Sequence, residues 1–164
     1  MAGSVGESLR VPSLDMVESD EPTKLPRRDD VVAQVQDLVG QSASPAVLVV
    51  EVAEWHALTE TDRGGARRAV RELAERLDRV VRGRDVLGFE PPARFLLGCS
   101  SLSPDIAGGV IDRIRGGAAF PVEIDGGAVS LVLDVGVAFF SDGATGASLV
   151  EAAERDLGRA GSTN

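Results

Sequence analysis

From Arg63 to Val81 the apolar positions are Ala66, Ala69, Val70, Leu73, Leu77, Val80 and Val81, with Arg and Glu between them. A spacing of three and four gathers these side chains on one stripe of a helix. Asp29 to Val39 repeats the pattern through Val31, Val32, Val35, Leu38 and Val39, and Gly40 supplies a stop. Ala46 to Ala53 is different, a short unbroken apolar run that predicts a strand buried on both faces. Val86 to Phe89 and Phe95 to Cys99 predict two short strands around a turn holding Pro91 and Pro92. Pro104 opens a helix through Val110, Ile111 and Ile114, which Gly116 and Gly117 end. Phe120 to Ile124, the turn Asp125-Gly126-Gly127, and Val129 to Phe140 predict a β-hairpin. A last helix is expected from about Ala147 to Ala160.

Helices alternating with strands, two pairs of them in hairpins, imply an α/β domain whose mixed sheet is covered by helices. The length of 164 residues suits one domain over 20–164, preceded by a flexible acidic leader over Met1 to Ser19. That leader carries Glu7, Asp15 and Glu18 against Arg10 and few large apolar side chains. The formal net charge of −9 argues against DNA as a partner, because nonspecific binding needs positive charge to displace counterions. A local basic patch still suits a phosphate ligand. The single cysteine, Cys99, forms no internal disulfide and fits a cytoplasmic setting. No apolar run reaches the roughly 20 residues of a membrane helix. The single histidine, His56, has no cysteine or second histidine beside it, so no metal site is expected there.

Several segments, in order, resemble the GGDEF domain of diguanylate cyclases. Asp20-Glu-Pro-Thr-Lys-Leu-Pro-Arg-Arg28 is similar to that family's opening D-x-L-T-G-L-P-N-R, and Val50-Glu51-Val52-Ala53-Glu54-Trp55 to the strand ending in D-I-D-x-F. Arg82-Gly-Arg-Asp85 matches the R-x-x-D inhibitory motif, and Pro91-Pro-Ala-Arg-Phe95 stands in the place of G-G-D-E-F. Ile111-Asp-Arg-Ile-Arg115 is similar to A-E-R-I-R, and Val132-Leu-Asp-Val-Gly136-Val137 to V-x-S-I-G-V. The resemblance covers about residues 20 to 161. It implies the palm-like fold of nucleotide cyclases, with a mixed five-stranded central sheet flanked by helices plus a β-hairpin.

The same resemblance implies that this chain is not an enzyme. Joining two GTP molecules into cyclic di-GMP needs metal ions held by carboxylates. The family's two ligand positions are Glu51 and Ala93 here, and alanine has no ligand atom. The next signature position is Arg94, a reversal of charge. Pro91 and Pro92 replace the glycines whose N–H groups face the phosphates, and proline has no N–H. The positions that recognise guanine in the family are Thr59 and Arg68. An arginine accepts no hydrogen bond from a guanine N–H. No cofactor is expected.

The family's inhibitory site maps onto Arg82, Asp85 and Arg113, with Arg84 and Arg115 as added phosphate charge. An arginine fork suits phosphate and the guanine Hoogsteen edge, and a carboxylate accepts from guanine N1 and N2. The expectation is therefore a cyclic di-GMP receptor that acts through a protein partner, with a ligand-linked homodimer as one form. The same motif also reads as a cap on the helix C-terminus, where cations are favoured. On that reading the chain is a ligand-independent interaction scaffold.

Overall fold

The computed structural model describes residues 23–41 and 44–162. The leader expected over Met1 to Ser19, and the first residues of the opening motif, lie outside them. The described elements run α1 (Arg28–Gly40), β1 (Ala46–Val52), α2 (Trp55–Thr61), α3 (Arg63–Asp78), β2 (Val86–Glu90), β3 (Arg94–Cys99), α4 (Pro104–Gly117), β4 (Pro121–Ile124), β5 (Gly127–Ser130), β6 (Leu133–Phe139) and α5 (Gly146–Ser162).

Side-chain alternation along β1 explains why this strand reads as a continuous apolar run. Leu48, Val50 and Val52 join the core under α3 and α4, while Val47 and Val49 join a second core under α1 and α5. The strand therefore lies between two helical layers, as its sequence predicts. Alternation also assigns Glu51 to the α1 and α5 face, at the end of the strand.

The central sheet has the order β2-β3-β1-β6, and every neighbouring pair is antiparallel. Among the described residues it has four strands, where the sequence predicts five in a mixed arrangement. The difference lies in the run from Val129 to Phe140. It does not form one hairpin arm: β5 pairs with β4 in a separate two-stranded sheet, and β6 crosses over to β1. The Ala53 N–H donates to the Val132 carbonyl at 2.8 Å, which fixes the changeover beside the end of β1.

A short helix, α2, also escapes the hydrophobic pattern. Glu54 turns the chain into it with φ of 59°, and none of its residues is fully buried, only Trp55 and Leu58 packing partly against the core. α3 begins where Asp62 caps it, one carboxylate oxygen accepting from the Gly65 N–H at 2.9 Å. The other oxygen accepts from the Asp125 N–H at 2.8 Å and ties the helix to the β4–β5 turn.

α5 crosses β6 at Gly136, where a Cβ would run into the Ala153 carbonyl and the Leu157 amide. Both outer strands are engaged by the chain itself. On β2 the Phe89 N–H donates to the Pro26 carbonyl at 2.8 Å. On β6 the Val137 N–H donates to the Asp156 carboxylate at 2.9 Å.

Candidate functional site

The segment between α3 and β2 forms a tight turn closed on itself. Gly83 adopts φ of 56°, a conformation that costs glycine little. The Asp85 N–H donates to the Arg82 carbonyl at 2.9 Å, and the Arg82 N–H donates to Asp85 Oδ2 at 3.2 Å. Asp85 Oδ1 accepts from the Ser100 N–H at 2.8 Å and from its hydroxyl at 3.1 Å. The turn is thus fastened to the end of β3, and its carboxylate is set at the start of β2.

α4 brings Arg113 to the same place. Arg82, Asp85 and Arg113 line one pocket of about 180 Å³, whose apolar wall includes Leu97, Cys99 and Leu102. A shallower hollow of about 420 Å³ adjoins it and shares Ile106, Val110 and Arg113. Ile106 is 56% exposed between them. Arg84 and Arg115 are exposed and do not line the pocket. Arg115 stands two positions after Arg113, and residues two apart on a helix face different ways. Three of the five arginines and carboxylates expected from the sequence therefore converge, and two do not. Burial pushes the Cys99 thiol up to about 12, with the Asp85 charge adding to it.

The tip of the β2–β3 hairpin holds the second group of expected residues. Pro91, Pro92 and Ala93 form its turn, and Ala93 is buried at 2% exposure. Arg94 lies directly opposite Glu90 on β2 and directly opposite Glu51 on β1. Its Nη2 and Nε donate to Glu51 Oε2 at 3.0 and 3.2 Å. Its Nη1 lies 3.8 Å from Glu90 and 3.6 Å from Glu154 of α5. Arg28, at the start of α1, grips Glu154 with two further hydrogen bonds of 3.0 and 3.1 Å. That contact holds the Arg28 guanidinium above its ordinary pKa. Arg28, Glu90 and Glu154 carry no sequence signal for this role, because strand register and helix docking assemble the cluster.

These residues do not fit a divalent ion at this tip. The carboxylate of Glu51 is taken by a guanidinium, and position 93 offers only a buried methyl group. Among the described residues no group of three or more His, Cys, Asp or Glu is arranged to hold a metal. Thr59 and Arg68 are not joined to this cluster. The Thr59 hydroxyl donates back to the His56 carbonyl of its own helix at 2.8 Å. Arg68 lines a separate open groove of about 340 Å³ with Glu72, Arg76 and Phe120.

No family model matches the sequence, and no curated protein does. Solved structures do match. The fold is that of GGDEF domains, the diguanylate cyclase fold. The diguanylate cyclase SiaD of Pseudomonas aeruginosa, solved with its activator SiaC, superposes with a TM-score of 0.80 at 21% identity over 93% of this chain. This chain spans 63% of that one. The GGDEF domain of YfiN (TpbB) from the same organism gives 0.77 at 21% identity, covering 87% of this chain and 88% of that one. The GGDEF domain of DgcB from Caulobacter crescentus, solved with cyclic di-GMP, gives 0.78 at 14% identity, covering 87% and 89%. Among the described residues no helix is long and apolar enough to cross a membrane.

Proposed function

We propose that this GGDEF-fold domain makes no cyclic di-GMP but binds it at Arg82, Asp85 and Arg113, and signals by contacting another protein. The observation that carries the reading is the convergence of these three side chains, from two separate parts of the chain, on one pocket. A volume of about 180 Å³ suits one purine and is too small for a whole dinucleotide. One guanine would enter beside Asp85, and the phosphates and second base would lie along Arg113 towards the adjoining hollow. DgcB, which shares the fold, was solved with cyclic di-GMP, and SiaD with a protein activator. Both partners suit this reading.

The hairpin tip supports the part of this reading that concerns synthesis. Position 93 offers a buried methyl group in place of a carboxylate, the Glu51 carboxylate is engaged by Arg94, and the prolines at 91 and 92 bring no N–H groups to a metal–phosphate complex.

Calorimetric titration with cyclic di-GMP tests the receptor reading. Low-micromolar binding is expected, weakened at least ~10-fold in Arg82→Ala and in Arg113→Ala, the scale of one lost charge-assisted hydrogen bond. No heat at high ligand concentration would end it.

A second reading has its own observation. Both Asp85 oxygens already accept hydrogen bonds from the protein, which suits a motif kept to fasten a turn. On that reading the domain is a ligand-independent scaffold, and Arg82→Ala binds its partner protein as wild type does.

A further inference from the structure

The polar groups of the Arg82 pocket are unequally engaged. Among the described residues the guanidinium groups of Arg82 and Arg113 have no hydrogen-bond or ion-pair partner, so their donors remain for a ligand. Asp85 is the reverse. A carboxylate offers about four lone-pair positions, roughly two on each oxygen. Both on Oδ1 are taken, by the Ser100 N–H at 2.8 Å and the Ser100 hydroxyl at 3.1 Å. One on Oδ2 is taken by the Arg82 N–H at 3.2 Å. A single acceptor position is left. Ser100 does not itself line the pocket, so Oδ1 is engaged from outside it.

Along one edge guanine presents N7, O6, N1–H and then its 2-amino group, acceptors followed by donors. An arginine fork matches the acceptors. The one position left on Asp85 accepts a single donor, and N1–H is the donor adjacent to O6. We propose that the pocket recognises a 6-oxopurine through N7, O6 and N1–H and leaves the 2-amino group unread, so that guanine and hypoxanthine bind alike. Adenine is disfavoured, because it turns an amino donor towards the arginines where O6 should be. Ser100 is the specificity-determining residue, since its hydroxyl occupies the lone pair that would otherwise meet the 2-amino group. The inference rests on the receptor reading above and names the class of base that the receptor takes.

Calorimetric titration of the full chain with three cyclic dinucleotides that differ only in their bases tests it: cyclic di-GMP, its hypoxanthine analogue and cyclic di-AMP. The first two are expected to bind within about 3-fold of each other, and cyclic di-AMP at least ~10-fold more weakly. Ser100→Ala frees a position on Oδ1 and should favour cyclic di-GMP over the hypoxanthine analogue by about 10-fold. Ser101→Ala removes the other hydroxyl of the pocket wall and should leave the ratio as in wild type. A wild-type preference of ~10-fold or more for guanine over hypoxanthine would overturn the proposal and leave the receptor reading standing. So would equal binding of cyclic di-AMP, a ratio that moves in Ser101→Ala, or a Ser100→Ala protein that still treats guanine and hypoxanthine alike. No heat with any of the three ligands would remove both readings.

Discussion

Ser100 donates both its backbone N–H and its hydroxyl to a single carboxylate oxygen of Asp85. The carboxylate is therefore a fastening for the turn as well as a wall of the pocket. Asp85→Ala leaves three donors without their acceptor and should lower stability by about 1–2 kcal/mol in urea unfolding. Arg82→Ala and Arg113→Ala remove exposed side chains and should change it by less than about 0.5 kcal/mol. Loss of ligand binding in the arginine variants thus reports on recognition, and loss in the aspartate variant mixes recognition with folding.

Two glycines separate close packing from open space. A Cβ at Gly136 meets the backbone of α5, which has no side-chain freedom with which to yield. Gly136→Ala should cost about 2–3 kcal/mol. A Cβ at Gly108, inside α4, meets nothing within 4 Å. Gly108→Ala should stabilise by about 0.5–1 kcal/mol, because alanine is the better helix former. Paired denaturation curves of the two variants check both signs.

Asp62 makes α3 sensitive to acid. The N–H groups of Asp125 and Gly65 hold its carboxyl below the ordinary 3.8, helped by the charge of Arg68 and opposed by desolvation. A depressed folded-state value means the contribution is complete above the unfolded pKa, near 3.8, and disappears as pH falls through the lower folded value. Asp62→Asn should melt below wild type at neutral pH, and the gap should close as the pH drops below about 4. A gap that persists unchanged at the lowest pH would contradict this assignment.

Cys99, raised to about 12 by burial, should be a slow nucleophile, since the thiolate is the reactive form. The folded protein is expected to react slowly with a disulfide reagent at pH 8. The same protein in denaturant should release one equivalent at once, matching its single cysteine.

The long elements were legible because their periodicity is strong. The Arg63 helix, the helix starting at Pro104 and the buried run from Ala46 all appear within a few residues of their expected bounds. α2 was not legible, because a seven-residue helix that packs only Trp55 and Leu58 partly against the core leaves too short a stripe. The division of Val129 to Phe140 was not legible either, because an apolar run does not say where it changes partner. At the pocket, the motif residues Arg82 and Asp85 are close in sequence, and the resemblance added Arg113. The Arg94 cluster joins residues 43 apart across β1 and β3 and reaches α5 besides. Only register and docking create it.

The carbonyl of Pro26 on Phe89 and the carboxylate of Asp156 on Val137 have a consequence for assembly. Each flank of the central sheet has one amide already claimed, so a strand from another molecule would meet an interrupted row of donors there. Trimming the chain to the start of α1 would remove the Pro26 carbonyl and leave the Phe89 N–H of that flank without its acceptor.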